Sequence, residues 1–108
     1  MKIAVICSSG SSTSDLAQYL PPNSTEILSV GQQGLSEAAK RYAAEGGIQV
    51  TEIILERKSL SRNDFLRRNL ALIRKTDLVI AFWDGLDEET KLLIDQCNIL
   101  GIPIRVFV

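Results

Sequence analysis

Five short apolar runs, rich in β-branched residues, recur along this chain with helix-period segments between them, and that alternation leaves few folds open. Lys2–Cys7 and Thr25–Val30 are the first two runs; Ile48–Leu55, Asp77–Trp83 and Pro103–Val108 complete the set. Asp15–Leu20 is read as a short first helix, with Ser12-x-x-Asp15 as its capping box. Leu35–Glu45 places Leu35, Ala38, Ala39, Tyr42 and Ala43 at helical spacing and stops at Gly46-Gly47. Asn63–Lys75 gathers Phe65, Leu66, Leu70, Leu72 and Ile73 on one side, and Glu88–Leu100 does the same with Leu92, Leu93, Ile94 and Ile99.

Strands and helices in strict alternation, joined by short connections, predict a parallel sheet with right-handed crossovers and helices on both faces. The first and fourth runs are apolar on both faces, as central strands are, whereas the third carries Thr51 and Glu52 and the fifth carries Pro103 and Arg105. The expected fold is therefore α/β, a Rossmann-like three-layer α/β/α sandwich with a five-stranded parallel sheet in the order 3-2-1-4-5. With 108 residues, 45% of them hydrophobic, there is material for one core, so residues 1–108 are read as a single domain.

Composition removes several chemistries. The chain has no histidine, which excludes Ser-His-Asp and Cys-His nucleophilic sites and imidazole metal centres. Cys7 and Cys97 are too few and too far apart for a zinc quartet or a C-x-x-C pair, so they are expected as reduced structural thiols, and no metal or cofactor is expected. A net charge of −1 points to neither nucleic acid nor membrane. The apolar run Ile3 to Cys7 is too short for a signal peptide or a span, which places the protein in the cytoplasm.

In such a sheet ligands bind beyond the carboxyl ends of the strands, where the order reverses between the first and fourth. Four segments meet there. Ser8, Ser9, Gly10 and Ser11 open a hydroxyl-rich stretch after the first strand, able to hold an anion or to serve as a plain cap; it is neither G-x-G-x-x-G nor a Walker loop. Gly31 and Gly34 flank the second turn, where glycine permits a positive φ or a close approach to a ligand. Arg68 and Asn69 lie in the third helical segment, and Asn69 interrupts the stripe running from Phe65 to Ile73; a buried amide there ties a loop or meets a ligand. Trp83, Asp84, Gly85 and Thr90 lead from the fourth strand into the last helix, with Trp83 available to stack on a base or to close the core.

Together these segments resemble the SLOG superfamily, the Rossmann-like group that includes DprA, the LOG-type phosphoribohydrolases and the YspA-like proteins, the last being nearest in pattern. Ser29 through Ser36 is similar to that group's S-G-G-A-x-G-a-D, Arg68-Asn69 to its Arg-Asn pair, Phe82 through Thr90 to F-W-D-G-x-S-x-G-T, and Gly101-Ile102-Pro103 to its ending. The chain departs from the pattern at Val30 (Gly in the family), Ser36 (Asp) and Glu89 (Gly), and no Arg follows the first strand. Glu89 puts negative charge where the family's helix meets phosphate, which argues against a phosphate-rich ligand.

The resemblance implies a nucleotide-binding or nucleotide-derivative-binding sensor or carrier. LOG-type hydrolases and deoxyribosyltransferases use a Glu three residues after the Gly-Thr, and that position is Leu93 here, so no catalytic residue is expected. The alternatives are an N-glycosidic enzyme drawing on Glu88 or Glu89, and a DprA-like nucleic-acid module. Arg57, Lys58, Arg62, Arg67, Arg68, Arg74 and Lys75 crowd seven of the twelve basic residues together, but a solvated helix face explains the run more simply. Because no helix follows the fifth strand, one side of strands four and five is expected to be uncovered near Arg105 and Phe107. A two-fold homodimer is expected to pack there.

Overall fold

The computed structural model describes residues 1–8, 16–31, 35–54 and 61–107. Along the chain run β1 (Lys2–Cys7), a 3-10 turn (Leu16–Gln18), β2 (Glu26–Gly31), α1 (Glu37–Glu45), β3 (Gln49–Ile54), α2 (Arg62–Ile73), β4 (Leu78–Phe82), α3 (Glu88–Leu100) and β5 (Ile104–Phe107). The five strands form one parallel sheet in the order β3-β2-β1-β4-β5, as expected from the sequence. Ile6 lies beside Val30, Cys7 beside Phe82, and Phe82 beside Phe107, so the carboxyl ends of the central strands are level.

Each helix begins where a side chain can take up an orphan backbone N–H. Ser36 Oγ accepts from Ala39 N at 3.1 Å, Ser61 Oγ from Asp64 N at 3.1 Å, and Asp87 Oδ2 from Thr90 N at 3.2 Å. The Ser36 cap explains why α1 starts at Glu37 rather than at Leu35. At the far end of α3, Gly101 adopts φ +73°, a left-handed cap that glycine takes without strain.

The first helical segment is a correction. In place of a helix over 15–20 there is a single 3-10 turn at Leu16–Gln18, closed by Tyr19 N donating to Leu16 O at 3.0 Å. Pro21 and Pro22 follow directly, and a proline disfavours the α conformation of the residue before it. Ser12 and Asp15, the expected capping box, lie outside the described residues.

Alternate residues of the strands feed two cores. Ile3, Val5, Cys7, Ile27, Ile80 and Phe82 pack under Leu16, Leu35, Ala39 and Ala43; Ala4, Ile6, Leu28, Val30, Val79 and Ala81 pack under Ile73, Leu93, Ile94 and Cys97. The expected bare patch on strand four is absent: Leu78, Ile80 and Phe82 are all buried. Tyr19 supplies the cover, its ring 5.4 Å from Phe82 and 4.2 Å from Phe107 between centroids. Phe107 is thereby partly buried, while Pro103 and Arg105 of that side remain exposed. No described helix is long and apolar enough to cross a membrane.

Candidate functional site at the carboxyl edge

At the reversal between β1 and β4 the strand ends are stitched together. Ser8 N donates to Phe82 O at 3.0 Å, Trp83 N to Phe107 O at 2.9 Å, and the Ser8 hydroxyl accepts from Asp84 N at 3.0 Å. Ser8 is 2% exposed, so its side chain joins the two loops rather than pointing outward. Ser9, Gly10, Ser11 and Gly34 lie outside the described residues. Gly31 ends β2 beside Ile54.

The loop from β4 to α3 is held by its own carboxylates. Asp84 Oδ1 accepts from Leu86 N at 2.8 Å and from Asp87 N at 2.9 Å, and Gly85 turns between them at φ +84°. A Cβ on Gly85 would meet no atom within 4 Å, so conformation rather than space calls for glycine there. The two backbone N–H groups, Leu86 first, hold the Asp84 carboxyl below its ordinary value. Asp87 caps α3 and also accepts a hydrogen bond from the Thr90 hydroxyl, while Trp83 Nε1 donates to Asp87 O at 3.0 Å. Glu88 pairs with Arg62 of α2 at 3.4 Å, tying together the starts of the two helices.

This arrangement alters the meaning of several candidate residues. The orphan N–H of Thr90 that an incoming phosphate would use is engaged by Asp87, and Glu88 and Glu89 add negative charge to the first turn. Trp83 is half-buried, with its indole N–H already engaged and its ring packed against the α2/α3 core. Arg68 is exposed on the outer side of α2. Leu93 is 1% exposed inside the α2/α3 core, so the position of the hydrolases' glutamate is an apolar packing site.

Asn69 is the outlier. It is wholly buried on α2; Nδ2 donates to Phe65 O at 3.0 Å, one turn back, and Oδ1 accepts nothing. Among the described residues it is the one buried side-chain polar atom without a partner. Leaving such an acceptor empty costs about 1–3 kcal/mol.

Asp87 is not among the candidates the sequence singles out, yet it caps α3, holds the Thr90 hydroxyl and accepts from the indole N–H; its D-x-x-T spacing to Thr90 was the available signal. A second feature went unseen: an open cavity of about 380 Å³ between α1 and β3, lined by Lys40, Ala44, Ile48, Val50 and Glu52. Those residues come from α1, β3 and the turn between them, and no local pattern states how closely the helix lies over the strand.

Among the described residues no three Cys, Asp or Glu side chains are grouped to hold a metal ion. Cys7 and Cys97 are both free and buried, and burial raises both thiols, which suppresses the thiolate. The fold and this edge define a doubly wound parallel α/β protein of Rossmann-like type. Comparison with protein-family models, with curated proteins and with solved structures gives no match to the chain.

Proposed function

We propose that this protein is a small SLOG-type domain that binds a nucleotide or nucleotide derivative at the β1/β4 reversal as a sensor or carrier, without turnover. The observation that carries the reading is the buried Asn69, whose empty Oδ1 is an acceptor awaiting an N–H donor such as the amino group or ring nitrogen of a base. Binding at an amide this enclosed requires the structure around it to open. The acidic start of α3 favours a nucleoside end at that helix, leaving Ser8–Ser11 with Gly31 and Gly34 to meet any phosphate. Leu93 in the core supports binding without N-glycosidic cleavage. The same reading makes the chain a cytoplasmic homodimer, and its two free thiols fit a reducing compartment.

A thermal-shift series with adenosine, AMP and ADP-ribose tests it. Stabilisation follows RT ln(1 + [L]/Kd), about 2.7 kcal/mol at one hundred times Kd. Asn69→Leu should lose the shift while its circular dichroism stays that of the wild type. Silence from all three ligands at millimolar concentration would overturn the reading. Release of free adenine from AMP would replace it with the hydrolase.

A further inference from the structure

We infer that the outer face of α2 docks the phosphate backbone of double-stranded nucleic acid, through Arg68, Arg74 and Lys75 and without reading sequence. This surface is separate from the β1/β4 edge.

Helix α2 buries Phe65, Asn69 and Ile73 and turns its opposite side outward. Arg74 keeps helical dihedrals at the helix end and Lys75 N donates to Leu72 O at 3.2 Å, so both residues continue the spiral. At 3.6 residues per turn, Arg67, Arg68, Ala71, Arg74 and Lys75 then fall within an arc of about 120°, and all five are exposed. Ala71 lies in the middle of the arc, and its short side chain lets an extended partner approach the helix.

Ion pairing divides the cations of this molecule. Lys2, Lys40, Arg62, Arg67 and Lys91 each meet a carboxylate. Arg68, Arg74 and Lys75 form no ion pair among the described residues, which leaves a local excess of positive charge that the net charge of −1 conceals. The neighbouring acids are engaged elsewhere: Asp64 by Arg67, Glu88 by Arg62, and Asp77 by Lys2 N at 2.8 Å. The helix macrodipole favours cations in the last turn and so accounts for Arg74 and Lys75; Arg68 lies mid-helix, outside its reach.

The chemistry of the face selects the partner. Two of the three free cations are arginines, whose planar forks match phosphate oxygens. The large hydrophobic side chains that are exposed lie on other elements, so this face has no apolar anchor for a bilayer or for a protein interface. It carries no aromatic ring on which an unpaired base could stack. Arg68 and Lys75 stand about 10 Å apart along the axis, and a duplex presents one negative charge per about 1.7 Å of its own. Asn63, also exposed, adds a neutral donor for the same backbone.

Fluorescence anisotropy of a labelled, mixed-sequence DNA duplex tests this. Binding is expected at low salt and should weaken about fortyfold between 50 and 200 mM, the response of three neutralised phosphates. Arg68→Glu, Arg74→Glu and Lys75→Glu combined should weaken it about tenfold or more. Arg68→Gln alone should reduce the salt slope by about 1. Arg41→Glu with Arg105→Glu, on the α1 side of the sheet, is the charge control; it should bind within about twofold of wild type, and circular dichroism should show every variant folded. A second duplex of unrelated sequence should bind equally, and a tenfold preference would overturn recognition of the backbone alone. No binding at about 10⁻⁴ M protein in 50 mM salt would overturn the inference, as would equal losses in the α2 variant and the charge control. Attachment to phosphatidylserine vesicles without duplex binding would overturn it in favour of a membrane surface.

Discussion

One sheet is closed here by two unlike layers. Over one face, α1 and a single 3-10 turn do the work of two helices, and the shortfall is made up by Tyr19, Phe82 and Phe107 in mutual contact. Over the other, α2 and α3 pack mainly with aliphatic side chains, joined by Phe65 and Trp83 with no aromatic trio among the described residues, and enclose two polar ones, Asn69 and Thr90. Thr90 is satisfied by the Asp87 carboxylate, and Asn69 is satisfied at one end only. The aromatic layer is thus built for closure, whereas the aliphatic layer tolerates an unmet polar group. Such a group persists where something other than stability has a use for it.

Substitution in the aromatic layer should produce the largest loss. Phe82→Ala removes a ring that touches both other aromatics, and urea denaturation should show a loss of about 3–5 kcal/mol. A cost below about 1 kcal/mol would mean that the three rings are not what closes this face. The opposite layer should respond with the opposite sign at its key position. Asn69→Leu deletes the empty acceptor while keeping the branching and number of side-chain heavy atoms, so the unliganded protein should be unchanged or gain up to about 3 kcal/mol. A marked loss would mean that the amide is a structural tie, and the two layers would then differ in composition alone.

The sequence announced these layers unequally. Strand order was legible because β1 and β4 are apolar on both faces, while Thr51, Glu52 and Arg105 mark the edges. Asn69 could be singled out by its interruption of the stripe from Phe65 to Ile73, and it is indeed buried there. What stayed hidden was lateral. The 3-10 turn hid because apolar spacing over six residues cannot outweigh two prolines directly after it. Tyr19 reaches Phe107 across most of the chain's length, and no local pattern encodes that contact. Ser8 read as a ligand-facing hydroxyl because the Asp84 N–H it receives comes from the far side of the fold.

A smaller effect tests how the α2/α3 layer is anchored. Asp87 holds the first turn of α3 through the backbone and hydroxyl of Thr90. Asp87→Ala should cost about 1 kcal/mol in urea denaturation, the usual value of a lost helix cap. The aromatic layer has no part in that cap, so the packing of Tyr19 should be indifferent to the change.

Acid should discriminate between the layers most finely. Asp64 at the start of α2 and Asp84 before α3 both have carboxyls held below the ordinary value of 3.8, Asp64 first by the Ser61 side chain and then by Arg67, Asp84 by the N–H groups of Leu86 and Asp87. A carboxyl depressed in the folded state adds stability at pH values above its unfolded pKa. That contribution begins to fade as pH approaches 3.8 and is gone once pH has fallen through the lower, folded value. Both groups belong to the α2/α3 side; on the other face, the titrating group among the described residues whose environment shifts it is Cys7, raised by burial and neutral throughout the acid range. Acidification below about pH 4 should therefore loosen the starts of α2 and α3 before the Tyr19 layer. Amide hydrogen exchange can follow this, with protection of Phe65 and Thr90 expected to fall ahead of that of Val5 and Ile80. Asp84→Asn should flatten the acid limb of the melting temperature against pH, leaving a residual slope from Asp64. An unchanged slope would show that the loop from β4 to α3 is held by its backbone path alone.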